Sequence, residues 1–281
     1  LAKYIDWGPF FQTWDLAGAF PAILKDEIVG SEAVRVLSDG QRMLKRLIEG
    51  RWLTANAVMG LWPANSVNDD DIALYTDESR SQVALTWYGL RQQAEKTAVD
   101  GVMRPSRALA DFVAPQGVAP DYVGMFAVTA GLGVEAKERY FLDDHDDYSA
   151  IMLKALADRL AEAFAECLHE RVRKDLWGYA PGEQLTNEEL VAEKYRGIRP
   201  APGYPACPDH SVKREMFELL QAREIGMDIT DSLAMTPAAS VSGFYLAHPD
   251  SRYFNVGPIG PDQVEDQARR RGAEKALLER L

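Results

Sequence analysis

A mixed helix-and-strand fold in one unit is what this sequence predicts, on three observations. Apolar residues recur at three- and four-residue spacing over 31–50 and again over 148–174. Short apolar runs between 55 and 75 are cut by polar turns. No repeat, low-complexity linker or composition break divides the 281 residues, so one domain, 1–281, is expected.

The chain opens with YIDWGPFFQTWDLAGAFPAIL, which holds Tyr4, Trp7, Phe10, Phe11, Trp14 and Phe20. Gly8-Pro9 and Phe20-Pro21 punctuate it, so it should be turn-rich and anchored by its rings. Asp6 stands among those rings and needs a partner, water or a local turn to satisfy it. A helix follows over 31–50, with Ala33, Val34, Leu37, Met43, Leu44, Leu47 and Ile48 in register. Strands are expected at 55–62 and 72–75, joined by a polar turn over 65–71 as an antiparallel pair. Another helix is read over 82–96, and an extended piece over 111–115 ends at Pro115. DYVGMFAVT, 121–129, reads as a buried strand stopped by Gly131 and Gly133. The adjoining AVTAGLG lacks the spacing and the lysine of a phosphate-cradling loop.

DDHDD, 143–147, invites a metal reading, but adjacent side chains cannot converge on one ion, and carboxylates suit the helix start that follows. In the helix over 148–174, Met152, Leu156, Leu160, Ala163, Phe164, Cys167 and Leu168 form an apolar face. Arg159, Glu162, Glu166, Glu170 and Arg173 are placed away from it, and His169 at its boundary or on the surface. Asn187 should cap a short helix running to about Tyr195. Beyond a proline-rich loop, 212–221 is helical, 229–235 and 241–247 are extended, and 251–257 turns into a short strand. The tail from Asp262 is a helix carrying Arg269, Arg270, Arg271 and Lys275.

The loop over 196–210, RGIRPAPGYPACPDH, is the strongest local feature. Pro200, Pro202, Pro205 and Pro208 exclude helix and central strand, while Gly197 and Gly203 permit tight bends. A stiff loop of this kind suits the fixed presentation of Arg199 and Tyr204; a rigid connector with an incidental arginine is the other reading.

With 43 acidic against 31 basic residues, the net charge of −12 argues against wrapping nucleic acid or an anionic membrane. Cys167 and Cys207 form no CxxC pair and fit free thiols in a reducing compartment. The apolar runs are too short for a bilayer and no signal peptide is evident, so a cytoplasmic location is expected. No His or Cys joins a catalytic constellation.

YIDWGPFFQTW, DDIALYTDE, DYVGMFAVTAG, KALADRLAEAFAECLHE, LWGYA, YRGIRPAPGYPACPDH and SVSGFYLAHPDSRYFNVG occur in this order. Together they resemble the activation domain of cobalamin-dependent methionine synthase, over nearly the whole chain. The resemblance implies an α+β, C-shaped single domain with a twisted antiparallel sheet flanked by helices. It implies that S-adenosylmethionine (SAM) lies in a groove, held by Arg199 of the proline loop, Asp6 of YIDW, Tyr204 of PGY, and Tyr253 and Phe254 of SRYF.

The residue types suit that ligand. Arg199 can grip an α-carboxylate with two prongs, and Asp6 can pair with an α-ammonium. Tyr204 can face a sulfonium, and the Tyr253-Phe254 backbone can meet the adenine edge. Glu193 is a further candidate through proximity, or a solvated helix residue. The resemblance further implies reductive methylation of oxidised cobalamin, with cobalamin held by a partner domain and the electron supplied by flavodoxin or a related reductase. No group of this chain then acts as acid, base or nucleophile, and no metal ligand is expected.

No DxHxxG cobalamin motif occurs in the chain, so it reads as an excised domain or a separate subunit. A non-catalytic SAM-binding sensor or interaction domain is the alternative. An acidic reductase would need a local basic patch, for which Arg269–Arg271 with Lys275, or Arg171, Arg173 and Lys174, are the candidates.

Overall fold

The computed structural model describes residues 1–94, 96 and 103–278. Its centre is a five-stranded sheet made of β1 (Thr54–Val67), β2 (Asp71–Tyr75), β3 (Val83–Trp87), β4 (Asp121–Leu132) and β7 (Ser240–Tyr245). They lie in the order β3-β2-β1-β4-β7, and every neighbouring pair is antiparallel. A small separate hairpin pairs β5 (Asp228–Ile229) with β6 (Met235–Thr236). The helices are α1 (Gly30–Glu49), α2 (Val134–Asp143), α3 (Asp147–Arg171), α4 (Asn187–Val191), α5 (Lys213–Leu219), α6 (Pro261–Arg271) and α7 (Lys275–Leu278). This is the α+β architecture expected, an antiparallel sheet flanked by helices.

Strand alternation sorts the core into two faces. Val123, Met125 and Ala127 of β4 join Phe244 and Leu246 in one buried cluster with Trp87, Met216 and Phe217. Phe126 and Val128 point the other way, against Ala165, Leu168 and Val172, with Tyr245 of β7 beside them. Farther along that face α1 and α3 bury the N-terminal rings Phe10 and Phe11. The opening stretch is turn-rich as expected, wound into short 3-10 turns at Ala2–Tyr4, Pro9–Trp14 and Ala22–Lys25.

Several expectations of secondary structure are corrected. Leu109–Phe112 winds into a 3-10 turn that takes the start of the piece expected extended over 111–115, the helix expected to reach about Tyr195 ends at Val191, and the piece expected extended over 229–235 is strand only at its ends. Residues expected as a helix over 82–96 instead supply β3; residue 95 of that range lies outside the described residues. Val83, Leu85 and Trp87 repeat every second residue, and Trp87 stacks on Phe244 with ring centroids 3.8 Å apart. The polar turn expected over 65–71 shrinks to 68–70, because β1 continues to Val67. Asn65 is buried there, its amide donating to the carbonyls of Ala114 at 2.9 Å and Ala119 at 2.8 Å. The segment over 251–257 forms no strand and is held instead by single hydrogen bonds to the proline loop.

Helix ends follow local chemistry. Asp146 of DDHDD accepts from the Ser149 N–H at 3.0 Å and caps α3, which is the structural use expected of that cluster. The cap of α4 is Thr186 rather than Asn187: Thr186 and Glu189 close a reciprocal capping box. Past Arg171 the helix widens into one π turn, Val172–Leu176, which turns Arg173 inward. The tail forms α6 and α7, and residues 279–281 lie outside the description.

Candidate functional site

The proline loop is stitched to the edge of the sheet. Ile198 exchanges two hydrogen bonds with Leu246, at 2.9 and 3.0 Å, and the Phe244 N–H donates to the Pro200 carbonyl at 2.9 Å. Ile198 and Pro200 are both buried. Alternation then turns the side chain of Arg199 away from them, toward α3. Gly197 (φ 82°) makes the entry bend possible: a Cβ there would lie 2.7 Å from the Leu246 carbonyl and 2.6 Å from the Tyr179 hydroxyl.

Arg199 meets three partners. Its Nη2 contacts Glu166 Oε2 at 2.8 Å, and its Nη1 donates to Tyr195 Oη at 3.1 Å and to His169 Nδ1 at 3.2 Å. Burial works to lower the guanidinium pKa, but the oxygens of Tyr195 and Glu166 outweigh it and raise the value above its ordinary range. His169 is fully buried and is pushed well below the ordinary imidazole value by burial and by the charges of Arg199 and Arg173. It is neutral, and since an arginine cannot accept, its Nδ1 carries the lone pair. The ring stacks on Tyr245 with centroids 5.1 Å apart.

Tyr253 ties a second segment to the loop. Its hydroxyl accepts from the Arg199 backbone N–H at 3.0 Å and lies 2.9 Å from the Tyr195 hydroxyl. The Val256 N–H donates to the Pro205 carbonyl at 3.0 Å. Together these segments wall a cleft of about 480 Å³, lined by Arg199, Tyr204, Tyr253, Phe254 and Asn255, with Phe126 and Val241 of the sheet among its other walls. A neighbouring hollow of about 300 Å³ holds Asp6, Tyr4, Arg159 and Glu166. Glu162, Glu193 and Arg199 line both, so the two hollows meet at the arginine.

Of the five residues expected at the site, Arg199, Tyr204, Tyr253 and Phe254 line the larger cleft, and Asp6 lines the neighbouring hollow that shares Arg199. Asp6 also serves as a turn residue, its Oδ1 accepting from the Gly8 N–H at 2.8 Å. Tyr204 is 58% exposed at the cleft mouth. Glu193, two residues past α4, is exposed yet lines both hollows, and partial desolvation raises its carboxyl pKa against the pull of Arg199.

Sequence reasoning missed the polar lining of α3. Glu166 and Arg173, placed on its outer side, are buried, as is His169, expected at the surface or boundary. The available signal was the spacing Glu162, Glu166, His169, Arg173, a stripe at four, three and four residues. Cys167 is half-buried rather than a core residue. Cys207 is buried and its thiol is pushed up to about 12 by burial, which leaves it inert. Among the described residues no group of three His, Cys, Asp or Glu side chains could hold a metal ion.

The two basic clusters expected to serve as docking patches are each divided, with three of their seven side chains turned inward and four outward. Arg270 pairs with Asp71, Arg271 with Asp209, and Arg173 with Glu183. Arg269, Lys275, Arg171 and Lys174 keep outward exposure. No helix among the described residues is long and apolar enough to cross a membrane.

Sheet, loop and cleft define an α+β domain with a well-anchored arginine in the wall of a cleft. The family described as vitamin B12 dependent methionine synthase, activation domain, matches residues 1–272. The crystal structure of the MetH reactivation domain bound to AdoHcy is similar, with a TM-score of 0.91 and 55% identity, covering 99% of this chain and 85% of that one. This chain belongs to the activation-domain family of vitamin B12-dependent methionine synthase.

Proposed function

We propose that the chain acts throughout as one activation domain that binds SAM in the cleft at Arg199 and supports reductive methylation of cobalamin. The observation that carries this is the anchored guanidinium at the junction of two hollows, one apolar and one acidic. Arg199 takes the α-carboxylate and Asp6 the α-ammonium, while Tyr204 faces the sulfonium. The backbone of Tyr253 and Phe254 takes the adenine edge. The solved relative bound to AdoHcy supports a ligand of this shape.

Cobalamin, carried by its own domain, supplies the reduced cobalt that takes the methyl group. This chain contributes orientation: it holds the S-methyl toward that partner and screens it from water. Flavodoxin or a related reductase is the proposed electron donor, and the cytoplasm the proposed location. Calorimetric titration with SAM tests the site. Arg199→Ala should weaken binding by roughly tenfold or more, the loss typical of a charged hydrogen-bonding partner. Unchanged affinity would remove Arg199 from the site.

A further inference from the structure

Behind Arg199 lies a row of alternating charges. Glu183 takes Arg173 bidentately, with Nε at 2.9 Å from both carboxylate oxygens and Nη2 at 2.7 Å from Oε1. Arg173, itself 0% exposed, turns Nη1 toward Glu166 Oε1 at 3.9 Å, too long for a hydrogen bond, and neither atom has another partner among the described residues. Glu166 spends its other oxygen, Oε2, on Arg199. The row is thus minus, plus, minus, plus, and neutral in sum; Arg199 lines the larger cleft, and Glu166 shares with it only the wall of the smaller hollow.

We propose that Glu166 is a positioning residue for Arg199 and thereby a determinant of specificity for ligands that carry an α-carboxylate. This rests on the reading of Arg199 as the carboxylate grip. A long arginine side chain has many rotamers, and a two-pronged grip needs one. Glu166 holds Nη2 while Tyr195 and His169 hold Nη1, so the inner side of the fork is occupied; Nε has no hydrogen bond among the described residues. Glu166 can do this because Arg173, locked on Glu183, offsets the cost of burying its carboxylate. Removing the Glu166 charge would leave Arg173 with Glu183 alone and take from Arg199 its ion-pair partner, and the fork would lose its orientation.

The test titrates SAM and decarboxylated SAM into the wild-type chain, Glu166→Gln, Arg199→Ala and the double variant. Thermal unfolding of each is followed in parallel. The expected result is a loss of about tenfold for SAM in Glu166→Gln, with decarboxylated SAM held within about twofold. In the Arg199→Ala background, Glu166→Gln should add no further loss, because it acts through the missing side chain. Equal losses for both ligands, additive losses, no loss, or tighter SAM binding from a freed competitor would each overturn the proposal. If Arg199→Ala itself keeps full affinity, the reading of Arg199 falls and this inference with it. If only Glu166→Gln is silent, the inference alone falls. Glu166→Asp, which keeps the charge but draws it back from Nη2, carries the same test should the glutamine variant not fold.

Discussion

Burial works against a cation, and Arg199 keeps its proton because Tyr195 and Glu166 outweigh that cost. Lysine would not substitute, since a point charge cannot contact Glu166, Tyr195 and His169 together and still serve the proposed ligand carboxylate. Arg199→Lys should therefore weaken SAM by about tenfold in calorimetry; near-equal affinity would show that charge alone suffices. His169 adds a pH dependence. Its folded pKa lies below the ordinary value of 6.5, so the unfolded chain binds the proton more readily. The stability it contributes is complete above pH 6.5 and falls as pH drops below it. Denaturant titrations should show wild type losing more stability than His169→Asn between about pH 7 and 5, since asparagine has no proton to gain. Parallel curves would contradict the assignment. The proline loop and the carboxylate among rings drew notice to Arg199 and Asp6, but each kept a structural reading, and only the likeness to a known family proposed them for the site. Glu166 and His169 were not legible. Periodicity puts residues on a helix face, but the loop that covers this face begins some 30 residues later and its path is a tertiary fact.

Among the elements, those set by local chemistry were readable. The span of α1 and the acidic cap of α3 rest on neighbours in sequence, whereas β4 runs beyond the expected Thr129 and through Gly131 to Leu132, ending only at Gly133. What failed was β3, where Val83-Ala84-Leu85-Thr86-Trp87 carries too few residues to separate a period of two from one of 3.6. Pairing with β2 and the stack on Phe244 decide the matter, and both lie outside the segment. The proline loop depends on Gly197 for its entry bend. Gly197→Ala would strain a left-handed backbone and press a methyl against the Leu246 carbonyl. We expect a loss of about 2 kcal/mol or more by chemical denaturation, together with weaker SAM binding as Arg199 shifts. Wild-type values for both would mean that the bend tolerates a side chain.

Across the whole molecule, α6 closes the fold by bringing its arginines back onto distant acids. Arg270 meets Asp71 of β2, and Arg271 meets Asp209 at the end of the proline loop. This structural use takes two of the three consecutive arginines and leaves Arg269 facing outward. Arg270→Ala would leave Asp71 buried and unpaired, at a cost of about 3–5 kcal/mol. The neighbouring Arg269→Ala, on the exposed side, should stay within about 0.5 kcal/mol. Equal effects in thermal or denaturant unfolding would contradict this division. The fold as a whole was legible only through the likeness of long motifs to a known family, since a mixed order of helices and strands is compatible with many arrangements.

The most direct measurement is a crystal structure of this chain grown with SAM. The account predicts the α-carboxylate on the Arg199 guanidinium, with the nucleoside against Tyr253 and Phe254. Ligand density in the hollow beside Gly131 and Gly133, or a carboxylate distant from Arg199, would contradict it.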